Sequence, residues 1–376
     1  MINRIIKGFT ENIILKSDSE NPLWNSENKI FSKKNRWNYI DACMIKAVCG
    51  LYGICGEKKL FEFSEKYVSD FISENCTIES MDISAYNLDN INGAKNLLYF
   101  YQKTGNRKYL DTAVWIYENQ ILNQPRLKCG NFWHKKIYPF QIWLDGIYMS
   151  IPFLAEYSVL MNKPEIIGDI TGQLQNVRDI MRDKNTGLYY HGYDESRSMY
   201  WADKKTGLSS EYWLRSICWL MAGLADIFEF SDGALKNICG NMLSDLISAM
   251  MKYQNDDGMF YQLPAKKNLS GNYPETSGTS LYAYSAMKSV RLGICGNSVK
   301  ESGLKAFESL TRNYIYFEND IPVLKNICLV AGLGGENHRN GSAEYYLGEP
   351  VIQNDAKGIA PFIMAYTEYV KLTGRI

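Results

Sequence analysis

Residues 144–181 read LDGIYMSIPFLAEYSVLMNKPEIIGDITGQLQNVRDIM, two helical runs joined by a short turn. The first spans Leu144 to Met161 and the second Ile166 to Met181, each with apolar residues recurring at helical spacing. Working outward, the same arrangement recurs along the chain. Asn38 to Tyr52 pairs with Lys59 to Ser73, Asn92 to Gln102 with Lys108 to Leu122, Glu211 to Phe228 with Ala234 to Lys252, and Ser277 to Arg291 with Ser298 to Tyr314. Ala356 to Thr373 closes the chain and Ile2 to Ile14 opens it. This makes roughly twelve helices at a hairpin period of about 50 to 70 residues, longer than common solenoid repeats and suited to a closed ring of helical hairpins.

The turns agree. Gly56, Gly105 and Gly296 stand where a helix must stop, and the next helix starts within a few residues. Strand signals are confined to Gly187 to Tyr193 and Gly258 to Leu263, aromatic-alternating runs that fall between hairpins and are expected to line a mouth. The expected organisation is one all-α domain over residues 1–376, a barrel of inner and outer helices with short β-hairpins at its pocket end.

Composition narrows the function. The chain has 376 residues, 46% of them hydrophobic, and 41 basic against 41 acidic residues, ample for a core and without the basic excess that nucleic-acid phosphates demand. Lys33-Lys34-Asn35-Arg36 is too short a basic run to change that. No run approaches the ~18 to 20 apolar residues of a membrane span, and the first twenty residues lack an uninterrupted apolar segment of the secretory kind. Nine cysteines form no C-x-x-C pair and three histidines are scattered, so the thiols read as reduced, the location as cytoplasmic, and no metal or redox cofactor is expected. Nucleotide-binding glycine motifs are absent from the sequence.

Candidate chemistry gathers at the starts of the first helix of each pair. Asp145 lies in Trp143-Leu144-Asp145-Gly146, after Phe132-Trp133-His134-Lys135. Asp89 occupies a similar place in Tyr86-Asn87-Leu88-Asp89-Asn90, and Trp37-Asn38-Tyr39 and Trp213-Leu214-Arg215 occupy others. In a barrel these starts open onto one end, and burying an unpaired carboxylate there is costly enough to demand a partner or a shifted pKa. On a helix Arg215 and Trp219 share a face, and His191 sits in an aromatic run, Tyr189-Tyr190-His191-Gly192-Tyr193. Tyr (27 residues) and Trp (8) are abundant enough for stacking on sugar rings, a use that competes with ordinary core packing.

The runs FWHKKIYPFQIWLDGIYMSIPFLAEY, YNLDNINGAKNLL, WADKKTGLSSEYWLRSICW and GLGGENHRNGSAEYYLGEPVIQNDAKGIAPFIMA resemble glycoside hydrolase family 105, the unsaturated rhamnogalacturonyl hydrolases. The resemblance spans about Trp37 to Tyr366 and implies an (α/α)6 barrel. It also implies removal of a terminal 4,5-unsaturated uronic acid from fragments left by pectin lyases, by hydration of the C4=C5 bond. On the matching positions Asp145 would be general acid and base, and Asp89 its partner. His134, Lys135, His191 and Arg215 would meet the uronate carboxylate and ring hydroxyls, Trp213 and Trp219 would stack, and Tyr39 would sit at the rim. The partner implied is an unsaturated oligosaccharide, with neither nucleic acid nor membrane, and the expected state is a monomer or weak homodimer.

The chain departs from the family pattern at WNYIDAC in place of W-x-Y-E-x-G, at Cys129, at Leu214 and Cys218, and at Asn337-His338-Arg339, which bears on the leaving sugar. Other readings of the same barrel are an unsaturated glucuronyl hydrolase, a sugar isomerase or epimerase, and a non-catalytic glycan-binding protein. Loss of the unsaturated chromophore, formation of a ketose or epimer, and saturable binding without turnover separate them.

Overall fold

The computed structural model describes residues 1–335 and 338–375. Its helices are α1 (Ile2–Phe9, continued by a wider turn over Thr10–Ile14), α2 (Ser26–Ile30), α3 (Tyr39–Cys55), α4 (Lys58–Ser69), α5 (Ala94–Thr104) and α6 (Arg107–Asn119). They continue with α7 (Leu144–Leu160), α8 (Glu165–Met181), α9 (Leu214–Glu229), α10 (Gly233–Met251), α11 (Thr276–Arg291), α12 (Asn297–Asn313), α13 (Ala343–Gly348) and α14 (Ala356–Thr373). Helices α3, α5, α7, α9, α11 and α14 stand side by side, each against the next and α14 back against α3. The others of each pair lie outside them, and α1 serves as the outer partner of α14, with Phe9 edge-on to Phe362 at 6.2 Å. The architecture is the (α/α)6 barrel expected.

Burial follows from position in the ring. Outer helix α8 buries Ile166, Ile170, Gln173, Leu174, Val177 and Met181, one stripe at helical spacing, and leaves its other face to water. Inner helix α9 is touched on every side and buries every residue from Leu214 to Ile227. Turn glycines also behave as their chemistry requires. Gly56 and Gly105 end α3 and α5 in the left-handed region, at φ 70° and 69°. Gly296 differs from expectation: it stands at the N-cap of α12 with φ −99°, and Gly293 at φ +74° follows the end of α11.

Strands are few. Gln141–Trp143 (β1) pairs antiparallel with Gly192–Asp194 (β2), and Ile315–Glu318 (β3) pairs with Ile321–Leu324 (β4). Ile327–Cys328 (β5) pairs with Val351–Ile352 (β6). The run at 187–193 gives β2 its first two residues and a bridge from Tyr189 to Arg182, and the run at 258–263 makes a single bridge, Tyr261 to Pro274.

One backbone bond repeats around the barrel. Leu88 N–H donates to the carbonyl of His134 (3.1 Å), Leu144 to His191 (3.1 Å), Leu214 to Gln262 (3.1 Å), Thr276 to Asn326 (3.0 Å) and Ala356 to Trp24 (2.8 Å). In each case the donor opens an inner helix, or the short 3-10 turn leading into α5, and the acceptor lies in the loop leaving its outer partner. A helix start has amide hydrogens with no partner inside the helix, and a buried one needs a partner elsewhere. The strap satisfies that need and places the next side chains, Asp89, Asp145, Arg215, Ser277 and Lys357, in equivalent positions around one mouth.

Deeper along the axis lies a buried ionic cluster. Asp226 meets Lys46, Lys288 at 2.7 Å and the hydroxyl of Tyr284 at 2.5 Å, and Lys288 also reaches Glu229 at 2.5 Å. Burial alone would raise the Asp226 carboxyl, but Lys288, Lys46 and Lys95 hold it well below the ordinary range. Its contribution is therefore present above the unfolded carboxyl value of about 3.9 and is lost as pH falls below it. Asp226→Asn, which strips Lys46 of its carboxylate partner and leaves the buried Lys288 with Glu229 alone, is expected to cost about 3 to 5 kcal/mol in denaturant unfolding at pH 7. A loss under about 1 kcal/mol, the size typical of an exposed pair, would contradict this.

Candidate active site

The mouth of the barrel brings two carboxylates each against a histidine of its own hairpin. Asp145 Oδ2 lies 3.2 Å from His191 Nε2. Asp89 Oδ1 lies 3.7 Å from His134 Nε2, and its Oδ2 is 2.5 Å from Lys135 Nζ. The strap explains both pairings, since the Leu144 to His191 and Leu88 to His134 bonds set the following aspartate beside the loop histidine.

Aromatic rings fix these histidines. His134 stacks on Trp143 (centroids 4.5 Å, 22°), whose other face carries Tyr138 at 4.7 Å. His191 meets Trp143 at 5.5 Å and Trp213 at 4.9 Å, and its Nδ1 is 2.7 Å from the Tyr346 hydroxyl. Burial holds the Tyr346 phenol well above its ordinary value, so it keeps its proton and can donate it to Nδ1. The imidazole proton then sits on Nε2, facing Asp145, an arrangement assigned from the network.

The electrostatics are uneven. Burial pushes the Asp145 carboxyl up, but His191 and His134 outweigh it, leaving the group below the ordinary carboxylate range. That is opposite to the near-neutral value expected of a general acid in the free enzyme. His134 is pushed down to about 4, chiefly by burial, with Asp89 opposing and Lys135 assisting. It stands neutral between two carboxylates, with Nδ1 buried and unbonded. Gly146 makes room for it: a methyl there would lie 2.9 Å from Nδ1.

Arg215 is held by acceptors on its far side. Its guanidinium donates to the Cys328 carbonyl at 2.6 Å and the Ser277 hydroxyl at 3.1 Å, and it lies 4.8 Å from the Trp213 ring. Burial works against its charge, and neighbours including Glu275 and Asp355 more than reverse that, raising its pKa. Tyr39 belongs to the same field: burial, Glu27 and Asp89 raise its phenol well above the ordinary value while Arg215 opposes them.

Not every expected residue faces the opening. Trp219, expected as a stacking wall, lies a turn deeper in α9, stacked on Tyr148 at 4.4 Å and 2% exposed. Sharing a face with Arg215 gave it the right direction and the wrong depth. Trp213 is 1% exposed, its indole N–H donating to Gln262 and its ring set between His191 and Tyr346, so it orients groups more than it presents a face. Sequence reasoning missed Tyr346, which lies in a quoted run but outside any hairpin start. It also missed Lys357 and Glu275, whose places become visible only through the strap register. Arg339 reaches the mouth too: a methyl on Gly332 would lie 2.6 Å from its guanidinium and 3.3 Å from the Trp143 ring. Of the family departure at 337–339, Asn337 lies outside the described residues.

No helix among the described residues is long and apolar enough to cross a membrane. Residues 5–373 match the family model described as Glycosyl Hydrolase Family 88. Protein Atu3128 of Agrobacterium fabrum (strain C58) is 35% identical over 232 residues, 60% of this chain and 99% of that protein. Unsaturated rhamnogalacturonyl hydrolase YesR of Bacillus subtilis is 27% identical over 213 residues, 54% of this chain and 59% of YesR. A solved family 105 glycoside hydrolase from C. acetobutylicum superimposes with a TM-score of 0.87 at 36% identity, covering 90% of this chain and 94% of that one.

The buried neutral His134 has a thermodynamic consequence. Its folded value of about 4 lies below the unfolded value of about 6.5, so the unfolded chain binds the extra proton first. Stability should fall as pH drops from about 6.5 to about 4, by up to about 3 kcal/mol from this group. Denaturant titrations across that range should be measurably shallower in pH for His134→Gln, and an unchanged slope would contradict the assignment.

Proposed function

The chain belongs to glycosyl hydrolase family 88, and from that premise we propose that it removes a terminal 4,5-unsaturated uronic acid from lyase-generated oligosaccharides by hydrating the C4=C5 double bond. Unsaturated galacturonyl-rhamnose is the preferred substrate in this reading. The relative named an unsaturated rhamnogalacturonyl hydrolase supports that choice over an unsaturated glucuronyl fragment. Residues 1–376 act as one catalytic domain, working in the cytoplasm on imported fragments.

The observation that carries the proposal is the doubled aspartate and histidine contact at one mouth, Asp145 with His191 and Asp89 with His134. Hydrating an enol ether needs a proton for C4 and a water at C5 that loses one, so a single well-placed group can give and then take. Asp145 fills that role. It is ionised in the free enzyme because its contact with His191 outweighs burial. A substrate carboxylate arriving beside it adds like charge, which raises its pKa and loads it with the proton it then delivers. The resulting carboxylate takes a proton from the attacking water. The hemiketal at C5 opens to a ketone, its ring oxygen staying on C1 as the hydroxyl of a hemiacetal, which collapses to an aldehyde and releases the leaving sugar as an alcohol. Because no bond at the anomeric carbon is attacked directly, carboxylate spacing carries no retaining or inverting meaning.

The neighbours divide the remaining work. Arg215, rigid on Trp213 and the Cys328 carbonyl, supplies a fixed cation for the uronate. Asp89, with Lys135 and His134, holds ring hydroxyls and sets the field at Asp145. Tyr39 closes the side facing Arg215. Near-ultraviolet absorbance of unsaturated galacturonyl-rhamnose should decay with wild type, and Asp145→Asn should slow the decay at least about 100-fold with folding intact. Turnover by Asp145→Asn within a few-fold of wild type would overturn the role of Asp145. Absence of decay with wild type on both galacturonyl and glucuronyl substrates would overturn the reaction.

A further inference from the structure

Glu275 is a fully buried carboxylate behind the arginine of the mouth, and the hydrolase reading above gives it no task. It caps α11, its side chain accepting from the N–H groups of Ser277 (3.1 Å) and Gly278 (2.7 Å). Capping alone does not account for the residue type. Asp, Asn and Ser are the usual caps, since a short side chain already reaches the second and third amides. The longer side chain of Glu275 reaches two more donors: its Oε1 accepts from the Ser277 hydroxyl at 2.6 Å and from the N–H of Cys328, in β5, at 3.0 Å.

Those two residues are the ones that hold Arg215. The Ser277 hydroxyl has one hydrogen, directed at Glu275, so its oxygen turns a lone pair towards Arg215 Nη1 at 3.1 Å. Cys328 likewise gives its N–H to Glu275 and offers its carbonyl to the same Nη1 at 2.6 Å. Both hydrogens of Nη1 are thereby used, and Nη2 makes a longer contact with the Leu329 carbonyl at 3.4 Å. Among the described residues no group accepts from Nε, which leaves the Nε and Nη2 edge as a two-pronged donor of the shape a carboxylate takes. The loop carrying Cys328 is stitched to the same helix start. Thr276 donates through its N–H to the Asn326 carbonyl (3.0 Å) and through its hydroxyl to the Lys325 carbonyl (2.8 Å). Burial opposes the Arg215 charge, and Glu275 is among the neighbours that outweigh it.

We propose that Glu275 is a positioning residue for the reaction: by making the Ser277 hydroxyl and the Cys328 carbonyl the acceptors of Nη1, it turns the free edge of Arg215 towards the uronate carboxylate of the substrate. The inference rests on the hydrolase reading, in which Arg215 meets that carboxylate, and deepens it by naming what aims the arginine. Glu275 touches neither the substrate nor the reacting atoms. Its influence is therefore specific to the charged group of the sugar, which separates it from a helix cap that only stabilises the fold.

The test compares KM for unsaturated galacturonyl-rhamnose with KM for its C6 methyl ester, which keeps the double bond and the chromophore but lacks the charge. Wild type should favour the acid by about tenfold or more, the size of a hydrogen bond to a charged group. In Glu275→Gln the amide sets N–H against N–H whichever way it turns, because all four groups facing the side chain are donors. The preference for the acid should then fall about fivefold or more through KM, with kcat on the acid and KM for the ester within about threefold of wild type. Ser277→Ala, which keeps the cap, should lower the preference about threefold, and it decides the matter if Glu275→Gln does not fold. In an Arg215→Lys background Glu275→Gln should change KM for the acid by less than about twofold, since residues acting through one another are not additive. A lowered thermal midpoint with equal losses on acid and ester, a preference unchanged in both variants, an additive loss with Arg215→Lys, or a wild type indifferent to the charge would each overturn the proposal. A wild type that turns over neither compound would instead be failure of the hydrolase reading, and the role of Glu275 would fall with it.

Discussion

The first amide hydrogen of an inner helix sits inside the barrel, where water does not reach and the helix itself offers no acceptor. Leaving such a donor unpaired costs about 1 to 3 kcal/mol, and five of the six inner helices find a carbonyl for it. In this chain the carbonyl comes from the loop leaving the paired outer helix, at His134, His191, Gln262, Asn326 and Trp24. That choice ties the two ends of these five pairs together at the mouth and aligns the following side chain of each, while α3, opened by Tyr39, makes no such bond among the described residues. The site is a by-product of satisfying helix starts, with chemistry added by what stands next to the strap: Asp with His twice, Arg215 once, Lys357 once.

The same constraint accounts for how acids survive there. Asp145 is kept ionised chiefly by its contact with His191 and Asp89 lies 2.5 Å from Lys135, while Trp143 packs against both histidines and limits their freedom. Gly146 permits the close approach of His134, and Tyr346 steadies His191 from the other side. Polarity at the mouth is matched by structural polarity below it, where Asp226 pairs with Lys288 and Lys46 inside the barrel. The two clusters occupy the same axis and differ in what their partners leave open: Asp145 Oδ2 has only an off-line contact with His191, whereas both Asp226 oxygens are engaged.

Much of this was legible in the residues. Helical spacing and glycine turns located the hairpins, with boundaries off by a few residues, as at α5, which starts at Ala94 after a 3-10 turn over Leu88–Gly93. Placement of Asp89, Asp145, Arg215 and Tyr39 at helix starts followed from pattern alone, because a helix start is marked by local chemistry. Depth was not legible: Trp219 and Arg215 share a face, yet one turn of about 5.4 Å separates mouth from core. Tyr346 and the β1–β2 pairing depend on residues distant in sequence, and no local period announces them. The direction of the Asp145 shift was not legible either, since its neighbours in sequence are apolar and the facing histidine comes close only through the strap.

The most direct test of the central claim follows the atoms of the product. With unsaturated galacturonyl-rhamnose turned over in D2O and examined by NMR, hydration predicts deuterium at C4 of the released uronate, loss of the vinyl proton, and a carbonyl at C5. Free rhamnose appearing alongside a uronate that keeps its vinyl proton and carries no deuterium at C4 would mean ordinary attack at the anomeric carbon, and would contradict the account.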